Sequence, residues 1–256
     1  MRARFRPLCP AALVILILTL LASGVFAETL TVSAAASLTD AAEEIATSYE
    51  KATGVKVALN LGASNQLARQ IEEGAPVDLF LSADEASVDR LERKGLLAAG
   101  SRRSILSNTL VIVVEKGSRL AVDSPRALAS GSVRSLALAE PGSVPAGIYA
   151  RQYLEALGLW ESVRPKVIPT ENVRAALAAV ESGNADAAIV YRTDAGISRK
   201  IRVAYEVPPG SGPPISYGAA IIRESRQASA ARRFLSYLES PAASAVFRRH
   251  GFRPKD

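Results

Sequence analysis

The sequence predicts an α/β protein built on largely parallel sheets. Segments with the pattern of strands alternate along the chain with segments whose apolar residues recur at helical spacing. Two strand segments, VDLFLS at 77–82 and LVIVVE at 110–115, are nearly continuous apolar runs, as expected of strands covered on both faces. The chain beyond residue 27 is long enough for one large domain or two small ones.

The N-terminal segment 1–27 predicts a secretory signal peptide. Arg2, Arg4 and Arg6 form a basic start, an apolar run follows at 11–22, and Val-Phe-Ala at 25–27 offers a cleavage site of small residues. The run is too short and wrongly flanked for a membrane-spanning helix. We therefore expect cleavage after residue 27, with an uncleaved anchor as the alternative.

Composition restricts the possible functions. Cys9 is the one cysteine of the chain and lies in the predicted signal peptide, so the exported chain would have neither a disulfide nor a cysteine nucleophile. Loss of the three arginines of that segment lowers the formal charge from +6 to +3. Such a small excess does not indicate nucleic acid as a partner.

The stretch 31–49, TVSAAASLTDAAEEIATSY, begins as a strand and ends as an amphipathic helix. Ser37 lies between the two and is predicted to cap the helix, with Asp40 as its capping-box partner. A strand that runs into a helix N-terminus also directs free N–H groups and the positive end of the helix dipole at one point. This arrangement binds anions. A purely capping role for Ser37 is the alternative.

The pattern continues to the C-terminus. Further strands are predicted at 55–61, 77–82, 110–115, 135–139, 187–191, 201–207 and 216–222. Helices are predicted at 66–73, 84–94, 148–157, from 170 onward, 225–239 and after 240. Ser64, Thr170 and Ser240 are predicted N-caps, and Thr170 would place Val173 at the third helical position. PPGSGPP at 208–214 is a loop.

Five positions share one property, because each lies where a predicted strand ends or a predicted helix begins. In open α/β sheets these ends line the ligand crevice. The five are Ser37, Ser64, Ala146, Val173 and Tyr191.

Catalysis has little support in the sequence. His250 is the one histidine and is expected to be solvated on the last helix. No G-x-S-x-G elbow, phosphate-binding loop or His/Cys cluster with metal-ligand spacing occurs in the sequence. Asp78 and Asp84 are interpreted as a strand-start and a helix-start residue, and the arginines as solvated surface.

Binding fits the five positions better. Hydroxyl and backbone N–H groups hold a fully deprotonated oxyanion without formal positive charge, because helix dipoles supply the field. A protonated oxyanion brings an O–H group that needs an acceptor, and leaving it unpaired costs about 1–3 kcal/mol.

Several long segments resemble the periplasmic molybdate-binding proteins of bacterial ABC-type molybdate transporters. They are TVSAAASLTDA at 31–41, LARQIEEGAPVDLFLSAD at 67–84, VPAGIYA at 144–150, ENVRAALAAVE at 171–181 and AIVYRTDA at 188–195. The resemblance implies the two-lobed type II periplasmic-binding-protein fold, with two mixed sheets flanked by helices and a ligand cleft at the hinge. One lobe would comprise 28–108 and 217–256, and the other 109–216.

The resemblance also implies a function. Ser37, Ser64, Ala146, Val173 and Tyr191 would bind molybdate or tungstate, with the metal held through the oxyanion oxygens alone and no direct protein ligand. No cofactor and no enzymatic activity are expected. The protein would be a periplasmic monomer that delivers its ligand to a membrane permease with a cytoplasmic ATPase. Around Ser64 the sequence GASNQ contains Asn65 where relatives are richer in serine.

Three alternatives remain open at this stage. A receptor for sulfate or phosphate would use the same kind of site. An exported hydrolase on a similar scaffold would need a nucleophile–base pair, which the sequence does not offer. A ligand-sensing domain of a regulator would not need the predicted signal peptide.

Overall fold

The computed structural model describes residues 29–255. The predicted signal peptide, with Cys9, lies outside the described residues, and its cleavage stays a prediction. Two mixed sheets flanked by helices form the core of the described chain.

The first sheet has six strands in the order β11-β4-β10-β3-β1-β2. They are β1 (Thr29–Ala35), β2 (Lys56–Gly62), β3 (Leu79–Ser82), β4 (Arg103–Ser107), β10 (Ser216–Ile221) and β11 (Arg253–Pro254). Strand β1 pairs in parallel with β2 and β3, whereas β10 runs antiparallel to β3 and β4.

The second sheet has five strands in the order β7-β6-β8-β5-β9. They are β5 (Leu110–Glu115), β6 (Leu136–Ala139), β7 (Val167–Thr170), β8 (Ala187–Tyr191) and β9 (Ile201–Glu206). Strand β6 is parallel to β7 and β8, and β5 is antiparallel to β8 and β9. The mixed sheets that the resemblance implied are confirmed. The largely parallel pairing expected from the pattern alone was wrong for β5, β9 and β10, which run antiparallel to their neighbours.

The helices follow the strands in chain order. They are α1 (Thr39–Thr53), α2 (Ser64–Glu72), α3 (Glu85–Arg93), α4 (Pro145–Ala156), α5 (Trp160–Val163), α6 (Val173–Glu181), α7 (Arg192–Ile197), α8 (Ala228–Leu238) and α9 (Pro241–Arg249). Short 3₁₀ helices lie at Ala36–Leu38, Pro125–Ala129 and Arg164–Lys166. No helix among residues 29–255 has the length and apolar character needed to cross a membrane.

The chain crosses between the sheets twice. It leaves the first sheet after Ser107, passes through Asn108 and Thr109, and enters the second sheet at Leu110. It returns through the loop at 207–215 into β10. Strand ends of both sheets and the starts of several helices therefore meet near these crossings.

The core forms because the apolar strands are covered by helices. Leu30 and Val32 of β1 are fully buried in one cluster with Ile45 and Tyr49 of α1. Burying an aliphatic side chain of this size contributes about 1.5–3 kcal/mol to the free energy of folding. These contacts hold α1 against β1 and so fix the position of the segment between them.

The sequence pattern missed five elements, and each has a physical reason. Strand β7 contains Pro169 and lies at a sheet edge, where a missing N–H is tolerated. Strand β4 begins with exposed polar residues, so its apolar pattern is short. Strand β11 and helices α5 and α7 have only 2, 4 and 6 residues, too few for a periodic signal.

Candidate functional site

The five predicted positions surround one small cavity. Ser37, Ser64, Ala146, Val173 and Tyr191 all line it. The first two belong to the part of the chain that builds the first sheet and the other three to the part that builds the second, so the cavity lies between the sheets.

The cavity suits a compact ligand. Its volume is about 20 Å³, measured as the space open to the centre of a water-sized sphere. A single water needs roughly 10–15 Å³ by this measure, so the cavity admits a small ion and no extended organic molecule. None of the described residues that line it has a charged side chain. Three larger clefts, of about 390, 760 and 520 Å³, contain none of the five residues.

Ser37 does not cap a helix, and that prediction was wrong. A 3₁₀ helix at Ala36–Leu38 precedes α1, so the N-cap of α1 is Leu38 and no side chain caps it. The hydroxyl of Ser37 is buried and lies 3.0 Å from the hydroxyl of Tyr217. The capping box with Asp40 is therefore absent, and the Asp40 carboxylate binds an arginine instead.

Ser64 also differs from the predicted cap. It is the first residue of α2, and Ala63 occupies the N-cap position. The buried Ser64 hydroxyl accepts a hydrogen bond of 2.9 Å from the backbone N–H of Ala83. The N–H of Gln66 in the first turn of α2 donates to the carbonyl oxygen of Ala63. The N–H groups of the two residues before it have no acceptor within the helix, so this helix end can offer donors to the cavity. The neighbouring side-chain oxygen of Asn65 is buried and unpaired.

Ala146 and Val173 contribute backbone N–H groups at two further helix starts. Ala146 is the second residue of α4, after Pro145 at the first position. Val173 is the first residue of α6, not the third as predicted, because Asn172 rather than Thr170 is the cap. The Asn172 side chain accepts the N–H groups of Arg174 and Ala175 and so does not occupy the N–H of Val173.

Gly147 allows the close approach of α4 to the sheet. A Cβ atom at this position would lie 1.9 Å from the carbonyl oxygen of Ala139, at the end of β6. A larger residue would force the start of α4 away from the strand and move the N–H of Ala146.

Tyr191 ends β8 with its hydroxyl buried, and that hydroxyl has no hydrogen-bond partner within the described part of the chain. Burial raises its pKa well above the usual range, because the phenolate would be desolvated. The group stays protonated at neutral pH and can donate. An unpaired buried hydroxyl costs about 1–3 kcal/mol, which a bound acceptor would recover.

Electrostatics favour an anion in this cavity without a cationic side chain. Helices α2, α4 and α6 begin at its wall. Each helix N-terminus behaves roughly as half a positive charge. A small anion at this point would meet helix dipoles, hydroxyl donors and N–H donors together.

Arg174, beside the cavity, departs from the prediction that the arginines are solvated. Its Nε lies 2.6 Å from Oδ1 of Asp194, and its Nη2 lies 2.6 Å from Oδ2 of Asp40. Asp40 belongs to α1, which follows β1 of the first sheet, whereas Arg174 and Asp194 belong to α6 and α7, which follow β7 and β8 of the second. The salt bridge therefore connects helices that are attached to different sheets.

The pKa values of the two carboxyl groups in this salt bridge are shifted in opposite directions. Burial raises the pKa of Asp194 to about 6, although Arg174 opposes the shift. Burial also acts against ionisation of Asp40, but the hydrogen bond and charge of Arg174 hold the pKa of Asp40 below its usual value. Full burial of Asp194 against partial exposure of Asp40 accounts for the difference.

The other titratable candidates lie outside the cavity. His250 is partly exposed at the C-terminal end of α9, and its Nε2 also lies 2.8 Å from a carboxylate oxygen of Glu44. Asp78 accepts the backbone N–H of Thr31 at the sheet, and Asp84 caps α3, as their structural interpretation predicted. No group of His, Cys, Asp and Glu in residues 29–255 could hold a metal ion.

Two mixed sheets, two crossings and a small donor-lined cavity between them define a two-lobed binding protein. Residues 30–253 match the family model of bacterial extracellular solute-binding proteins. The chain belongs to this family, which consists of solute-binding proteins rather than enzymes.

Among the proteins that this chain resembles are several molybdate-binding proteins. The molybdate-binding protein ModA of Escherichia coli is 40% identical over 232 residues, which cover 88% of this chain and 89% of the relative. ModA of Haemophilus influenzae is 36% identical, covering 88% and 90%. The solved structure of the Azotobacter vinelandii periplasmic molybdate-binding protein is 27% identical with a TM-score of 0.80, covering 89% of this chain and 100% of that one.

The buried carboxyl of Asp194 predicts a pH-dependent stability. Because its pKa is raised from 3.8 to about 6, its stabilising contribution is complete below about pH 4 and is lost as the pH rises through 6. The amide introduced by Asp194→Asn does not ionise in this range. The free energy of unfolding of the wild type should therefore fall relative to the variant between pH 4 and 7, by up to about 3 kcal/mol.

Urea unfolding at several pH values measures this difference. Asp186→Asn is the matched control, because the backbone N–H groups of Arg134 and Ser135 hold the pKa of Asp186 below its usual value against the opposing effect of burial. Wild-type stability relative to that variant should instead rise with pH, and the rise should be complete by about pH 5. A constant difference between wild type and Asp194→Asn from pH 4 to 7 would contradict the assigned ionisation.

Proposed function

We propose that the protein is an extracytoplasmic receptor that binds molybdate, and also tungstate, and delivers it to an ABC importer. The observation that carries the proposal is the buried Tyr191 hydroxyl, which has no hydrogen-bond partner among the described residues. It lines a cavity whose wall contains hydrogen-bond donors but no charged side chain of the described residues. The similarity to ModA proteins supports molybdate as the ligand.

The donor set explains the class of ligand. Ser37, Ser64 and Tyr191 would supply hydroxyl groups, while Ala146 and Val173 would supply backbone N–H groups. Every contact would go to an oxygen of the anion, so the metal needs no protein ligand and the protein needs no cofactor. A fully deprotonated dianion satisfies such donors, whereas an anion with its own O–H group leaves that proton unpaired.

The arrangement of the donors supports selection by size. They come from chain segments attached to both sheets, so their separations are set when the two halves close. An anion with shorter bonds, such as sulfate, would then leave one or more donors unpaired, at about 1–3 kcal/mol each. A general sulfate or phosphate receptor is the alternative function.

The two crossings support a hinge between two lobes. We propose that residues 28–108 with 217–256 form one lobe and 109–216 the other, hinged near the crossings. The protein would act as a periplasmic monomer after cleavage of residues 1–27, and its partners would be a membrane permease and its cytoplasmic ATPase. A catalytic role has no support in the cavity, since no nucleophile–base pair of the described residues lines it.

Oxyanion titration tests the proposed ligand. Calorimetric titration of the exported form with molybdate and tungstate should give tight binding of one ion per chain. Sulfate should bind roughly 10²–10⁴-fold more weakly, as expected if two donors lose their acceptors. Hydrogen phosphate should be weaker still. Equal affinity for sulfate and molybdate would instead support the general oxyanion receptor.

Two serine variants test the site. Ser37→Ala and Ser64→Ala each remove a hydroxyl donor to a charged ligand, which should lower molybdate affinity about 10- to 100-fold. Ala146→Gly keeps its backbone donor and should have a much smaller effect. Ser182→Ala, at a helix end outside the cavity, is the matched serine control. Unchanged affinity in both Ser37→Ala and Ser64→Ala would remove these residues from the site.

A further inference from the structure

A chain of three side chains leads from the crossing between the sheets to Ser37. Asn108 lies in the first crossing, Tyr217 lies in β10 just after the second, and Ser37 lines the cavity. The Asn108 Nδ2 atom is 3.2 Å from the Tyr217 hydroxyl, which in turn is 3.0 Å from the Ser37 hydroxyl.

The orientation of the Asn108 amide is fixed by its neighbours. Its Oδ1 accepts the backbone N–H of Thr109 at 2.9 Å. The opposite orientation would place two donors against each other, so the Nδ2 group must face Thr193 and Tyr217. That group donates to the Thr193 Oγ1 at 2.9 Å and also to the Tyr217 hydroxyl. An amide nitrogen has no acceptor capacity, so Tyr217 cannot donate back to Asn108.

This orientation determines what Tyr217 does with its own proton. Tyr217 is fully buried, and burial raises the pKa of its hydroxyl, so the proton is retained. Because Asn108 donates to the oxygen, the proton is directed to the remaining partner, the Ser37 Oγ. Ser37 then accepts from Tyr217, and its own proton is free for the cavity.

Ser64 is arranged in the same way by a backbone group. Its hydroxyl accepts from the N–H of Ala83, which leaves the Ser64 proton free to donate. Both cavity serines thus accept a hydrogen bond from another group of the protein, which leaves their own protons for the cavity. Turning the Ser37 proton away from the cavity would direct it at a group that is already donating.

We propose that Tyr217, oriented by Asn108, is a positioning residue that holds the Ser37 hydroxyl as a donor toward the bound oxyanion. The proposal rests on the proposed function, because it takes an oxyanion as the acceptor of the Ser37 proton. Tyr217 acts through Ser37 and does not touch the ligand.

A double-mutant cycle tests this role. Tyr217→Phe removes the hydroxyl and keeps the ring, which packs 5.9 Å from the Tyr191 ring and 5.5 Å from the Phe252 ring. Calorimetric titration with molybdate should show an affinity about 3- to 10-fold below that of the wild type, as expected for the loss of one hydrogen bond. In a Ser37→Ala background the same substitution should change affinity less than about twofold, because its effect requires the serine hydroxyl.

A structural role of Tyr217 would lower affinity by the same factor in both backgrounds, and that result would overturn the proposal. Wild-type affinity in Tyr217→Phe would overturn it as well. Asn108→Ala provides a second arm if Tyr217→Phe does not fold, with the same expected dependence on Ser37. Thr193→Val, which removes the other acceptor of the Asn108 amide, is the control and should bind molybdate normally. Failure of the wild type to bind molybdate would reject the proposed function, a result distinct from additive losses in the cycle.

Discussion

Buried hydrogen-bond donors without an acceptor are the constraint on which the site depends. Among the described residues the Tyr191 hydroxyl is held out of water with no partner, in a wall that also contains the starts of α2, α4 and α6. Burying such groups unpaired is unfavourable, so the surrounding fold must hold them in place. The apolar clusters around the two sheets provide that support, and an oxyanion in the cavity would satisfy the donors.

The same region joins the two halves of the molecule. Arg174 follows Val173 directly and binds Asp40 on α1 and Asp194 on α7. The Asn108–Tyr217–Ser37 chain connects both crossings to the cavity. A change in the separation of the sheets would therefore alter the cavity donors and these polar contacts together. Coupling between ligand binding and the closure proposed above would act through these contacts.

The sequence predicted five positions that the fold brings around one cavity, but it did not predict their side-chain contacts. Strand ends and helix starts are local features, so the positions of Ser37 and Val173 could be recognised from nearby residues, and the resemblance added the ligand. The side-chain partners could not be recognised in this way. Ser37 bonds to Tyr217, 180 positions away, and Arg174 reaches Asp40, 134 positions away. A capping pattern uses only neighbouring residues and does not register such distant partners. The sequence therefore predicts caps at Ser37 and Thr170, whereas no side chain caps α1 and Asn172 caps α6.

The mixed pairing of the sheets has the same explanation. Apolar runs such as β5 and β8 indicate burial on both faces, but they do not indicate the direction of their neighbours. Strand direction follows from the path of the chain through the two crossings, which becomes apparent only in the folded molecule. The fold class that the resemblance implied already contained this information.

Location of the metal is the most direct test of the account. Crystals of the exported protein with molybdate can be measured at the molybdenum absorption edge, where anomalous scattering marks the metal. The account predicts one strong peak in the cavity between Ser37, Ser64, Ala146, Val173 and Tyr191, with the anion oxygens about 2.7–3.2 Å from their donors and no protein atom bonded to the metal. A peak elsewhere, or a protein atom coordinated directly to molybdenum, would contradict it.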